Sequence, residues 1–265
     1  MRSLLLLTAL LMFGQVQAET LRVGIESHDY MPYFRAQPGK PVEGYAVELL
    51  QRFAAEQNLQ LELLPRPLNR LHHDLLNSEN LDMIFPDNPQ WSRDLKGDRR
   101  LHYSHAAINV VDASLVLHER LGLGLAAVKR LGTVRGFTPQ AWDAELASGQ
   151  VQLLEANDIA GLVRMALRGR IDAVYANAEV VRLQLQKMGE ANDRLLADPA
   201  LPLARTSYHL STVNHPQLLE RFNRFLEQHA GELAALRQRY GLACSASDLS
   251  EEQPACRAQS MAGTR

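Results

Sequence analysis

Between positions 151 and 177 two strand-like apolar runs, residues 151–156 and 171–175, flank a single amphipathic segment. In that segment Ile159, Leu162, Val163, Ala166 and Leu167 fall on one face at helical spacing. Asn157-Asp158 stands where a cap would open the helix, and Gly169 where a left-handed residue would close it. A strand, one short helix and a returning strand can pair only in parallel, as a βαβ unit. Open α/β sheets built from such units bring ligands to the carboxyl ends of their strands, here Ala176-Asn177.

The same logic runs along most of the chain. Residues 21–25 read as a nearly buried first strand, followed by a loop at 26–44 rich in proline, glycine and aromatics. Ala46, Leu49, Leu50, Phe53 and Ala54 then share a helical face, and residues 59–64 and 81–85 read as strands. Further strands are expected at 114–117, 131–134 and 208–212. Pro216 opens a helix carrying Leu218, Leu219, Phe222, Phe225 and Leu226 on one side, and Gly231 divides it from a last helix ending near Tyr240. Two apolar extended segments without a helix, 108–113 outward and 198–202 returning, predict a two-lobed α/β chain with a hinge and a cleft between its lobes. The expected division is 19–110 with 203–242 as a discontinuous first lobe, 111–202 as the second, and 243–265 as a tail.

Met1-Arg2, an apolar run over 4–13 too short to span a bilayer, and Val16-Gln17-Ala18 before Glu19 predict an export signal cleaved after Ala18. That places the mature chain in a periplasm-like space without direct membrane insertion. Past the signal there are 27 basic and 30 acidic residues, a net charge of −3, and nothing calls for nucleic acid. Export meets oxidising conditions, so Cys244 and Cys256 are expected to form a local disulfide in the tail.

Other chemistries find little support. His72-His73, His102 and His105 lack a cysteine or carboxylate at metal spacing and read as solvated. The Gly122-Leu123-Gly124 stretch lacks a third glycine at dinucleotide spacing and reads as a connector. No nucleophile elbow, Walker A or Cys-x-x-Cys pattern occurs, so neither a catalytic residue nor a cofactor or metal is expected. Asp172, inside a strand-like run, reads as a structural acid, and Glu48 on the first helix as structural or solvent-facing.

Several of these segments, taken in order, resemble the family 3 periplasmic solute-binding proteins, receptors of polar amino-acid importers. The matching segments are Tyr30-Met31-Pro32-Tyr33, Gly44-Tyr45-Ala46-Val47-Glu48-Leu49, an Arg93 segment ending in Tyr103-Ser104, and Arg170-Ile171-Asp172-Ala173-Val174. The resemblance extends to about Leu242. It implies a monomeric type II binding fold, each lobe a mixed sheet flanked by helices, that closes over a small polar solute, amino-acid-like or carboxylate, and hands it to a membrane permease of an ABC importer. A sensory module acting on a separate membrane protein is the alternative, and less so a dehydratase-like enzyme, for which Glu26 or Asp29 would be the acid or base.

Position by position, the resemblance places an aromatic shelf on Tyr30 and a polar strand-end segment on Pro86-Asp87-Asn88. It places the carboxylate-binding arginine on Arg93. A guanidinium fork grips a carboxylate bidentately, which independently suits Arg93 to that role, with Arg99 or Arg100 as substitutes because the segment after Arg93 is long. Gly136, Phe137 and Thr138 follow a strand, and their backbone N–H groups could hold an anion. Trp91 and Phe137 are candidate cleft walls. Asn88 and Asn177 are expected to hydrogen-bond the ligand from opposite lobes. The sequence departs from the pattern at Asn177 and Ser27, where the family carries acids. An amide cannot neutralise an ammonium, so an α-amino acid would need Glu26, Asp29 or Asp87 to supply the missing charge.

Overall fold

In a computed structural model that describes residues 19–77 and 80–242, the strands form one continuous ten-stranded sheet, with a separate two-stranded ribbon. The expected signal, residues 1–18, and the tail with Cys244 and Cys256 lie outside the described residues.

The first lobe begins with β1 (Thr20–Glu26), the ribbon strands β2 (Asp29–Tyr30) and β3 (Phe34–Arg35), and α1 (Tyr45–Glu56). It continues through β4 (Gln60–Arg66), α2 (Leu68–Leu76), β5 (Met83–Asp87), the single turn α3 (Arg93–Lys96) and β6 (His102–Tyr103). β1 lies between β4 and β5 and pairs with both in parallel. All five apolar positions read onto α1 are buried. Phe53 meets Phe222 edge to face at 5.0 Å, so the 3.6-residue periodicity translates directly into a helix packed on its neighbour.

The long strand β7 (Ile108–Leu117) then leaves for the second lobe. That lobe contains β8 (Arg130–Val134), α4 (Asp143–Ala147), β9 (Gln152–Ala156), α5 (Ile159–Leu167), β10 (Ala173–Asn177), α6 (Ala178–Lys187) and β11 (Leu195–Ala197). β8 pairs in parallel with both β9 and β10, so residues 152–177 form the expected βαβ unit. Its details follow the sequence. Asp158 accepts from the Gly161 N–H at 2.6 Å, and Gly169 has φ +62° beyond the last turn. The returning strand starts two residues later than its apolar run because Asp172 is taken up by the start of β8. Its carboxylate accepts from the Lys129 and Arg130 N–H groups and pairs with the Arg130 guanidinium at 2.9 Å.

β12 (Ala204–Thr212) carries the chain back, and α7 (Pro216–Gln228) and α8 (Ala230–Arg239) finish the first lobe. The return is therefore a nine-residue strand and not the extended segment at 198–202, which is a turn closed by Asp198. The break between the last two helices comes at His229, two residues before Gly231, where it was expected.

β7 and β12 join the lobes. They pair antiparallel from Ile108 with Tyr208 to Asp112 with Ala204. Beyond that stretch β7 pairs β10 and β11, while β12 pairs β5 and β6 with a register shift between His209 and Ser211. Two strands that change partners midway are the geometry of a hinge. Among the described residues no helix is long and apolar enough to cross a membrane.

Gly44, which precedes α1, has φ +119°, and a Cβ there would lie 2.6 Å from the Tyr33 carbonyl oxygen. Backbone cannot swing aside as a side chain can. Gly44→Ala is expected to cost about 1–3 kcal/mol, read as a lowered midpoint in urea unfolding at unchanged slope. A loss below about 0.5 kcal/mol, the usual limit for a neutral surface change, would show that the turn relaxes freely.

Candidate functional site

The carboxyl ends of strands from both lobes converge on one cavity, with about 650 Å³ of empty space counted out into the open solvent at its mouth. Glu26 at the end of β1 and Pro86 on β5 line it from the first lobe, Gly136 beyond β8 and Ala176 on β10 from the second. Asp112 on β7 and Tyr208 on β12 bring the hinge strands into its lining.

Its walls are aromatic. Tyr30 stacks on Phe34 at 5.5 Å and meets Phe137, from the opposite lobe, edge-on at 5.5 Å. Trp91 and Tyr33 each meet Tyr208 edge-on, at 5.6 and 5.1 Å. Polar contacts also cross between the lobes. The Ser92 N–H donates to Thr138 Oγ1 at 3.1 Å, Asn177 Nδ2 to the Tyr33 hydroxyl at 3.1 Å, and Lys187 Nζ pairs with Asp29 at 2.8 Å. The lobes thus touch each other directly, as in a closed cleft.

Of the eight residues expected to hold a ligand, Tyr30, Trp91, Gly136, Phe137 and Thr138 line this cavity, and Arg93, Asn88 and Asn177 do not. Arg93 is exposed at the start of α3, beside a separate outer groove. The αL turn at Ser92 sends residues 91 and 92 inward and the next side chain outward. Arg99 and Arg100 are exposed too, and Arg99 donates to the Leu76 carbonyl. Asn88 is occupied by its own strand ends. Its Nδ2 donates to Thr206 Oγ1 and the Ser207 carbonyl, and its Oδ1 accepts from the Gln90 N–H. Asn177 Oδ1 caps α6, accepting from the Glu179 and Val180 N–H groups.

In the loop at 135–139 the Arg135, Gly136 and Phe137 N–H groups are engaged within the second lobe and not free to bind an anion, Arg135 N–H donating to the Ala156 carbonyl at 2.9 Å. Gly136 N–H donates to the Glu155 carboxylate at 3.2 Å, and Phe137 N–H to the Val134 carbonyl at 3.0 Å. The acids expected to replace the missing charge are spoken for as well. Asp29 pairs Lys187. Asp87 accepts from Lys96 Nζ at 2.8 Å, Ser211 Oγ at 2.7 Å and the Asn88 N–H. Glu26 faces the cavity but holds His28 Nδ1 at 2.5 Å, and that hydrogen bond raises the His28 pKa against the opposing effect of burial. Glu48 is structural, gripped by Arg52 at 2.9 Å and by Arg239.

Two residues that the sequence reading passed over or misplaced sit in the lining. His72 is buried rather than solvated, because residues 71, 72 and 75 form the inward face of α2. Its Nε2 lies 3.5 Å from Asp87 Oδ1 without making a hydrogen bond. Asp112 has no hydrogen bond or ion pair on its side chain among the described residues. Burial alone pushes its carboxyl up to about 7. The available signal was an acid interrupting the apolar run Ile108–Leu117, a pattern that in a half-buried strand marks a side chain with somewhere polar to face.

No family model matches the sequence, and no curated protein matches it. Solved structures share its architecture. An ancestral arginine-binding protein bound to arginine superposes with a TM-score of 0.67 at 16% identity, over 83% of this chain and 97% of the other. A periplasmic His/Glu/Gln/Arg/opine family-binding protein from Silicibacter pomeroyi in complex with lysine gives 0.67 at 18%, over 86% and 99%. A histidine kinase sensor domain with similarity to periplasmic binding proteins gives 0.67 at 19%, over 84% and 96%. The chain has the two-lobed α/β fold of these proteins, as the sequence resemblance implied.

Proposed function

We propose that this chain is an exported solute-binding receptor that closes over a small polar solute and delivers it to the permease of an ABC importer. The supporting observation is the cavity itself. Its walls come from both lobes and its lining includes both hinge strands, so one bound molecule would contact every part that must move. Closure follows if the ligand binds the closed form better than the open one. The direct contacts between Tyr30 and Phe137, and between Ser92 and Thr138, are those a ligand would bridge or replace.

The similar structures named as binding arginine and lysine support a small nitrogenous solute. The reading carries with it a periplasmic, monomeric protein that binds without turnover. The sensor-domain similarity keeps a signalling use of the same closure as the second reading. It is separated by whether the loaded protein stimulates ATP hydrolysis by a reconstituted permease or autophosphorylation by a kinase.

The test is thermal shift of the mature protein, stripped of co-purified solute, against amino acids, dicarboxylates, opines, polyamines and small peptides. A ligand at about 100 times its Kd stabilises by about 2.7 kcal/mol, a shift of roughly 5–10 °C for a chain this size. Phe137→Ala is expected to weaken the hit about tenfold or more, as loss of a desolvated aromatic wall does. Arg93→Ala is expected to leave it within about twofold, as for an exposed side chain outside the site. Folded protein that answers to none of the panel would sink the receptor reading.

A further inference from the structure

The cavity lining is one-sided in charge. It includes Glu26, Asp112 and His72 but no lysine or arginine. Around them stand six aromatic rings, those of Tyr30, Phe34, Trp91, Phe137, Tyr175 and Tyr208. Two further polar atoms there lack a partner. The Tyr175 hydroxyl is buried near the Ala141 backbone without a hydrogen bond of normal geometry, and His72 Nε2 is buried without one. A carboxylate ligand entering this space would meet two acids and no lysine or arginine, and the Gly136 and Phe137 N–H groups that could have held it are engaged by Glu155 and Val134. A positively charged nitrogen would meet an unpaired acid and the negative faces of aromatic rings, which attract cations, more strongly where water is excluded.

We infer that the cleft takes a small organic cation carrying no carboxylate, with its ammonium on Asp112 and its carbon body enclosed by the aromatic walls. The inference rests on the receptor reading and names the substrate class of that same site. Glu26 is less suited to hold the ammonium, because its carboxylate is already engaged by His28. Asp112 sits on a hinge strand, opposite Ala204 of β12 and Asn177 of β10. A cation there would be contacted by the strands that join both lobes.

Matched pairs that differ only by the α-carboxylate isolate the claim: agmatine and arginine, tyramine and tyrosine, putrescine and ornithine. Titration calorimetry on the mature full chain is expected to show at least one amine binding about tenfold or more tighter than its amino-acid partner, a difference of about 1.4 kcal/mol. Asp112→Asn, near-isosteric with the protonated acid, is expected to fold and to bind that amine about 100-fold more weakly, as for truncating one partner of a buried charge pair. An amino acid that binds as tightly as its amine partner, or tighter, overturns the cation assignment while leaving the receptor reading intact. Equal amine binding by folded Asp112→Asn overturns the placement on Asp112. If wild type binds nothing in these pairs or in the wider panel, the receptor reading itself falls.

Discussion

Lys96→Met is expected to destabilise the protein by about 3–5 kcal/mol, the usual cost of removing one partner from a buried ion pair. Lys96 is 5% exposed, and its Nζ donates to Asp87 Oδ1 at 2.8 Å and to the Asn88 carbonyl at 2.7 Å. Asp87 is fully buried. Burial pushes the Asp87 carboxyl up, but the neighbouring His72 ring and Lys96 ammonium outweigh it and hold the group below its ordinary value. Burial likewise pulls the Lys96 ammonium down against the raising effect of Asp87. Methionine keeps most of the apolar stem, so the loss reports the stranded carboxylate and not a cavity. Ser211 and the Asn88 N–H still bond Asp87 in the variant, and these place the expected loss toward the lower end of the range. Asp87→Asn in the Lys96→Met background should recover part of it, since the uncompensated charge is then gone. The readout is urea unfolding of single and double variants. A loss under about 1 kcal/mol for Lys96→Met, the size of a surface pair, would show that water reaches Asp87. The same pair ties β5 to α3 on either side of Trp91 and Ser92, so the variant should also bind solute more weakly.

Asp112→Asn is expected to stabilise the ligand-free protein above neutral pH, by about 2–4 kcal/mol at about pH 8, and to have little effect near pH 4. The folded carboxyl is pushed up to about 7 by burial, from about 3.9 in the unfolded chain. Between those values the native state holds more protons than the unfolded one. Stability from this group is therefore full below about pH 4 and is lost as pH rises through about 7. Asparagine matches the shape of the protonated acid and does not titrate, so the two proteins should converge at low pH and diverge as pH rises. Glu26, with its partner His28, and His72 line or border the same cleft. They are common to both proteins and cancel in the difference. Unfolding free energies measured from about pH 4 to about 8 test it, and a difference independent of pH would show that Asp112 is ionised and solvated throughout. A bound organic cation should reverse the order at about pH 8, because only the wild type offers it a counter-ion.

Most of the first lobe and the βαβ unit of the second were legible because they are local. α1 and α5 show their buried faces at helical spacing, and Asp158 and Gly169 bound α5 with groups a few residues apart. α2 and α6 were not foreseen. α2 has polar residues, including His72, on its inward side, and α6 is capped by an Asn177 read as a ligand residue. The return crossing was misplaced because the first half of β12 shows no apolar run, holding Arg205, Thr206 and Ser207, none of them fully buried. Its pairing with β7 spans the entire second lobe, which no window of sequence displays.

The site divides along the same line. That strand ends beside Tyr30, Trp91 and the 136–138 loop would come together around a cavity could be read from the sequence, since strand ends and aromatic loops are local features. Which polar groups remain free in the cleft was decided by partners far away in the chain. Asp29 is neutralised by Lys187, Asn88 is bonded to Thr206 and Ser207, and the Asn177 side chain reaches Tyr33. Arg93 stands exposed outside the cavity, and Asp112 lines it. Residue type and local spacing set what each side chain can do, but a charge counts at a site only when the folded chain has buried it there and brought it no partner.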